Sequence, residues 1–239
     1  MKRYLTKYVI EANYRVLYTL ISFFLNFIII FSKRNTIITF LSYPLLLDYQ
    51  QLIATNVGEI FTTHLSVCAN LSVLISFPFV VYQVSTFISN AWYTKEKKDL
   101  INFTILSTSS FTVGIICAHL FILPLAWHFF SEFQLHSGYL GLNIQNEVRV
   151  SMYADWALTL IFICANLSFT PFYILLCIRE NIEDRNIIWI RKNFIIIAVI
   201  LSALVAPPDG QSQFLIASWL IISYELSVLY LIKIRLTAF

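Results

Sequence analysis

Glycine occurs only 5 times and methionine twice in 239 residues, and charged side chains make up just 12% of the chain. With so little glycine there is no glycine-rich phosphate loop, so any work this protein does is not driven by its own nucleotide hydrolysis. So little charge excludes an ordinary soluble domain, and no nucleic-acid partner is expected. The four cysteines, Cys68, Cys117, Cys164 and Cys177, lie in apolar segments without C-x-x-C spacing. They read as small buried packing residues. His64, His119, His128 and His136 are not spaced like haem or metal ligands, so no metal and no cofactor is expected. A functional role stays open for His64 and His119, because polar groups inside a membrane are often retained for a reason. The sequons at Asn70, Asn102 and Asn166 sit in or beside apolar spans, where glycosylation is not expected. Met1-Lys2-Arg3-Tyr4 carries neither a signal-peptide pattern nor an Arg/Ser-rich transit sequence, so insertion is expected in the compartment of synthesis.

What is present is hydrophobic surface: 59% of residues are apolar, with a mean hydropathy of +0.75. The chain therefore reads as an all-α integral membrane protein. Abundant Ile, Phe, Tyr, Asn and Lys match an AT-rich coding bias, by association an organelle or a reduced bacterium. Gaps between charges define six spans in a single polytopic domain over residues 1–239, at about 16–31, 60–90, 101–128, 156–178, 193–207 and 211–232. Pro78 and Pro171 fall inside spans two and four and read as kinks, because the apolar runs continue past them.

The last two spans are short and joined by Ala206-Pro207-Pro208-Asp209-Gly210-Gln211. At ~1.5 Å per residue, about 15 residues cover only ~22 Å, whereas the hydrocarbon core is ~30 Å thick. Such a hairpin thins the bilayer locally or sits behind longer neighbours.

Six spans leave both termini on one side, with the loops after spans two and four. Lys2, Arg3, Lys7, Arg15, Lys95, Lys97, Lys98, Arg179, Arg185, Arg191, Lys192, Lys233 and Arg235 all fall there. Only Lys33, Arg34 and Arg149 fall on the other side. This asymmetry predicts both termini on the side of synthesis.

Acidic residues are few and therefore informative. Glu11 and Arg15 are four apart, on one helical face. Glu96 sits among Lys95, Lys97 and Lys98 on the same side. Both can be solvated interfacial charges, or carboxylates presented to guanidinium groups through paired, charge-assisted hydrogen bonds. Glu225, between Tyr224 and Leu226, needs a protein or water neighbour, in a helix–helix contact or a proton-linked role. Cys68-Ala-Asn-Leu-Ser72 recurs as Cys164-Ala-Asn-Leu-Ser168, by chance or from a weak likeness between helices two and four. Their Asn and Ser side chains are suited to tying neighbouring helices together.

In order along the chain, Glu11-x-x-x-Arg15, Pro44, Gly58-Glu59-Ile60-Phe61, Phe77-Pro78, Tyr82-Gln83, Phe87, Trp92-Tyr93-x-x-Glu96-Lys97-Lys98, Pro207-Pro208-Asp209, Ser212-Gln213 and Tyr224-Glu225 resemble the TatC signature. TatC is the multispanning receptor subunit of the twin-arginine protein translocase. The resemblance implies that Glu11 and Glu96, with Arg15 and Phe87, receive the twin-arginine signal peptide of a folded cargo. It implies that small single-span TatA/TatB-like partners dock along helices five and six near Gln213 and Glu225. It further implies a role in transport rather than an enzyme, driven by the proton-motive force, and assembly as a homo-oligomer in the bilayer. Departures are Asn13 in place of a second arginine, no acid around Phe169, Ala206 before Pro-Pro-Asp, and Phe87-Ile-Ser-Asn90 where the family has Phe-x-x-Pro. With the composition, this favours the mitochondrial inner membrane, ahead of a plastid thylakoid or bacterial inner membrane. Rival readings are a scaffold or assembly factor without cargo, and a proton-coupled transporter or respiratory subunit. The transporter needs charged residues at mid-depth or paired haem-ligand histidines, which spans one to five lack.

Overall fold

The computed structural model describes residues 2–47, 52–90, 93–132, 147–178, 184–206 and 210–236. The described chain is almost wholly helical. Helix α1 (Lys2–Ser32) is followed by two short helices, α2 (Arg34–Leu41) and α3 (Tyr43–Leu47). Strand β1 (Leu52–Ile53) leads into α4 (Glu59–Ser89). Helix α5 (Thr94–Cys117) passes through a π-helical turn at Ala118–Ile122 into α6 (Leu123–Ser131), one continuous rod. Strand β2 (Val148–Arg149) precedes α7 (Val150–Ile178), and α8 (Asp184–Val205) and α9 (Gly210–Leu236) complete the bundle.

Among the described residues, five helices are long and apolar enough to cross a membrane: Thr6–Ser32, Glu59–Ser89, Leu100–Ser131, Val150–Phe172 and Gly210–Tyr230. In α8 the apolar stretch runs only from Phe194 to Val205, after Arg191-Lys192-Asn193. Pro78 and Pro171 both lie inside unbroken helices. A chain fully hydrogen-bonded within its own helices is the form a bilayer accepts, since lipid offers backbone groups no partners.

Helix α7 is the centre of the bundle, packing on α4, α5 and α9. The α5–α7 approach is close because Gly114 has no side chain: a methyl there would lie 2.4 Å from Ser168 Oγ. Buried Phe111, Leu123, Ala157, Ala165 and Leu220 fill the interior. Phe77 stacks on Phe111 at 4.3 Å and meets Phe169 edge-on at 5.4 Å, close to Pro78. Phe194 of α8 stacks on Tyr224 of α9 at 4.1 Å. Helix α1 packs chiefly on α4 and leaves Leu17, Phe24, Ile28 and Ile29 exposed. Those side chains face lipid, where an apolar surface costs nothing.

Cys68 and Cys164 are buried, Cys117 is partly buried, and all three are free thiols. The repeated pentapeptide turns Cys68, Ser72, Cys164 and Ser168 inward. Asn70 contacts Ser66 of its own helix at 3.4 Å, and Asn166 donates to Phe162 O at 2.7 Å. Neither asparagine ties two helices together among the described residues. Ser168 does: it accepts the Trp219 indole N–H at 2.6 Å, and its carbonyl accepts Ser110 Oγ at 3.2 Å.

Candidate functional site

The start of α1, the end of α4 and the start of α5 meet at one end of the bundle. The four-residue spacing of Glu11 and Arg15 puts them on one face of α1, and the structure closes the pair. Glu11 Oε1 accepts Arg15 Nη2 at 2.7 Å and Arg15 Nε at 3.1 Å. One further donor and one further acceptor come from the C-terminal end of α4 and its cap. Asn90 Nδ2 donates to the same Glu11 oxygen at 2.7 Å, and Arg15 Nη1 donates to Gln83 Oε1 at 3.1 Å. Three N–H groups therefore converge on one carboxylate oxygen, while Glu11 Oε2 has no partner among the described residues.

This network borders a cleft of about 530 Å³ lined by Lys7, Ile10, Glu11, Tyr14, Arg15, Tyr18 and Gln83. The Glu11 side chain is 34% exposed and that of Arg15 20%. The carboxylate is thus reachable from solvent yet held in one orientation. An anionic oxygen in an aromatic-walled cleft can receive a cationic side chain attached to an apolar segment.

Phe87 is half-buried one turn before Asn90 on α4. Glu96 belongs to the first turn of α5, but its side chain lies outside the described residues. So do Pro207, Pro208 and Asp209. Gln213 is half-buried in the first turn of α9. Glu225 is not isolated: its Oε1 accepts Arg191 Nε from α8, which closes the α8–α9 hairpin at the same end as Glu11. Asn90 and Gln83 were not singled out as site residues from the sequence. Gln83 stood inside the quoted Tyr-Gln motif, and Asn90 stood out only as a departure from Phe-x-x-Pro.

A second polar cluster lies at the opposite end. Glu59 accepts from Thr55 N at 2.7 Å, Thr55 Oγ1 at 2.9 Å, Asn56 N at 3.3 Å and Ser151 Oγ at 2.6 Å. Arg149 approaches Glu59 at 3.6 Å and donates to Thr55 Oγ1. Beside it, β1 and β2 pair in parallel, Leu52 with Val148 and Ile53 with Arg149. The cluster clamps the two connections that join α3 to α4 and α6 to α7. Among the described residues no group of three His, Cys, Asp or Glu side chains could hold a metal ion.

The family described as Sec-independent protein translocase protein (TatC) matches this chain over residues 7–218. The chain belongs to the TatC family. Its fold agrees: a crystal structure of the twin-arginine translocase receptor TatC superposes with a TM-score of 0.71 at 27% identity. That match covers 93% of this chain and 98% of the other. A TatC of Aquifex aeolicus is 28% identical over 228 residues, covering 94% of this chain and 92% of its own length. An uncharacterized tatC-like protein, ymf16, of Nephroselmis olivacea is 29% identical over 225 residues, covering 92% and 90%. As a TatC protein, the chain is a multi-pass membrane component of protein transport.

Proposed function

We propose that this TatC protein is the signal receptor of its translocase and that the Glu11 cleft is part of the receptor surface. The observation that carries this reading is the setting of Glu11: three N–H groups of Arg15 and Asn90 fix its carboxylate, and the residue lines a solvent-reachable cleft. Glu96, on the first turn of the next helix at the same end, supplies the second carboxylate for a pair of arginines. The apolar part of the signal then enters the bilayer along the bundle.

The reading extends to the membrane. Six spans put both termini on the side of synthesis, as the distribution of Lys and Arg favours. The short apolar stretch of α8 thins the bilayer beside the cargo, and small single-span partners dock along α8 and α9 near Gln213. Several copies of the chain assemble around one cargo, and the proton-motive force drives its passage. The coding bias and the likeness to ymf16 proteins of Nephroselmis olivacea and Reclinomonas americana, organisms outside the bacteria, favour the mitochondrial inner membrane.

The test places a photo-crosslinker beside Glu96 in membranes and offers a twin-arginine peptide and its twin-lysine counterpart. Arginine-selective capture that is lost in Glu96→Gln supports the receptor. Equal or absent capture of both peptides overturns it and leaves a scaffold that has kept the fold.

A further inference from the structure

The cation held by Glu11 in the resting protein is not a guest. It is Arg15, bound through two N–H groups to Oε1 of the carboxylate that the receptor reading gives to the signal peptide, so the charge a guest needs is already paired. We propose that Arg15 is a specificity-determining residue: a tethered guanidinium that an incoming cation must displace from Glu11, and against which arginine and lysine are compared. The proposal rests on the receptor reading and adds the origin of its selectivity.

Three features of the geometry support exchange over permanent locking. Arg15 has a second resting place, because Nη1 already reaches Gln83 Oε1 at 3.1 Å, so the guanidinium can leave Glu11 without losing every partner. Asn90, at the C-terminal cap of α4, donates to Glu11 independently of Arg15 and holds the carboxylate in place when Arg15 departs. Both partners of the pair line that cleft, so a guest reaches the contact it has to replace.

Like replaces like when the guest is arginine. A planar guanidinium returns two N–H groups to the carboxylate in place of the two that Arg15 withdraws, and it is weakly hydrated, so desolvation costs little. An ammonium is a compact, strongly hydrated charge without that fork, and it has to evict a better ligand than itself. A built-in competitor of this kind raises selectivity by penalising the wrong guest, at the expense of affinity for the right one. The chain has Asn13 two residues before Arg15, so Arg15 is the only Lys or Arg between Lys7 and Lys33.

The experiment uses the full chain in membrane vesicles with a photo-crosslinking residue at Tyr14, on the cleft wall, and the same twin-arginine and twin-lysine peptides. Wild type is expected to favour the arginine peptide. In Arg15→Gln, capture of the lysine peptide rises and the arginine-to-lysine ratio falls by about tenfold, toward one, because a neutral amide no longer contests the carboxylate. Arg15→Lys keeps the positive charge against Glu11 and serves if the glutamine variant does not insert. With an ammonium as the competitor, the ratio falls in the same direction by a smaller factor. An unchanged ratio in a variant that still captures the arginine peptide overturns the exchange and leaves Arg15 a structural tie. Loss of both peptides in both variants, with insertion intact, overturns it as well. Failure of the wild type itself to prefer arginine sinks the receptor reading first, and the two failures are thereby distinguishable.

Discussion

Trp219 on α9 donates its indole N–H to Ser168 on α7 at 2.6 Å, and that same hydroxyl stands where a side chain on Gly114 of α5 would have to go. Ser168 Oγ also donates to Cys164 O at 2.8 Å, so the hydroxyl is used in both directions. Three helices are thus joined at one fully buried oxygen. This is also where the acid expected by resemblance, near Phe169, is missing. A small neutral hydroxyl satisfied by neighbours costs far less in a membrane interior than a carboxylate would.

Gly114→Ala tests how tightly that junction is packed. The added methyl would lie 2.4 Å from Ser168 Oγ, 3.0 Å from its Cβ and 3.3 Å from Ala165 Cα. Two of those neighbours cannot swing away, so α5 and α7 must separate. Overpacking of this kind costs about 1–3 kcal/mol, measurable as a lower unfolding temperature in detergent. Adding Ser168→Ala removes the nearest atom and should recover part of the loss. Wild-type stability of the single variant would show that the helices are not in forced contact there.

Asn90→Ala should separate orientation from selectivity. The amide ties the end of α4 to Glu11 at 2.7 Å but does not compete for the place that a guest cation takes. Its loss lets the carboxylate rotate and should weaken capture of twin-arginine and twin-lysine peptides by the same few-fold factor. The ratio between them should hold, in contrast to Arg15→Gln. A change in that ratio would mean that Asn90 contributes to discrimination and does more than aim Glu11.

Glu59→Gln addresses the clamp at the opposite end. The amide keeps the size of the side chain but removes the charge facing Arg149, and its NH₂ group cannot accept from the donors around it. The β1–β2 pairing is only two residues long and has little strength of its own. Protease cutting of the connection before α4 should therefore accelerate several-fold in intact vesicles opened to that side. Capture of a signal peptide at Glu11, at the far end of α4, should not change. An unaltered cutting rate would show that the connection is held without the carboxylate.

The helices were legible from the sequence because lipid imposes one simple rule, a long run without charge, and α4, α7 and the α5–α6 rod obey it. The short apolar stretch of α8 was legible in the same way, from Lys192 at one end and Pro207 at the other. Glu11 and Arg15 were legible as a pair because four residues make about one helical turn. Their partners were not. Gln83 and Asn90 come from 68 and 79 residues away, and no local period encodes which face of α4 meets α1. The Glu59–Arg149 clamp and the Ser168–Trp219 junction were hidden for the same reason. The π-helical turn at Ala118–Ile122 left only Pro124 as a sign, since a proline removes one backbone N–H and neighbouring turns adjust to it.

The pairing of Arg191 with Glu225 decides what the carboxylate of α9 does. The sequence reading allowed Glu225 a docking role toward single-span partners, whereas the structure pairs it with Arg191 across the α8–α9 hairpin. The two side chains are 55% and 29% exposed, so the bond itself is worth no more than about 1 kcal/mol. If the pair serves only to close the hairpin, Arg191→Gln and Glu225→Gln should lower stability by similar small amounts and impair transport equally. If Glu225 instead leaves Arg191 to bind a partner, only Glu225→Gln should abolish co-purification of that partner. Arg191→Gln should then strengthen it, because the carboxylate no longer has an internal cation to give up. Transport and co-purification measured on the two variants side by side separate these outcomes, and the structure favours the first, because Arg191 already provides the cation that Glu225 needs.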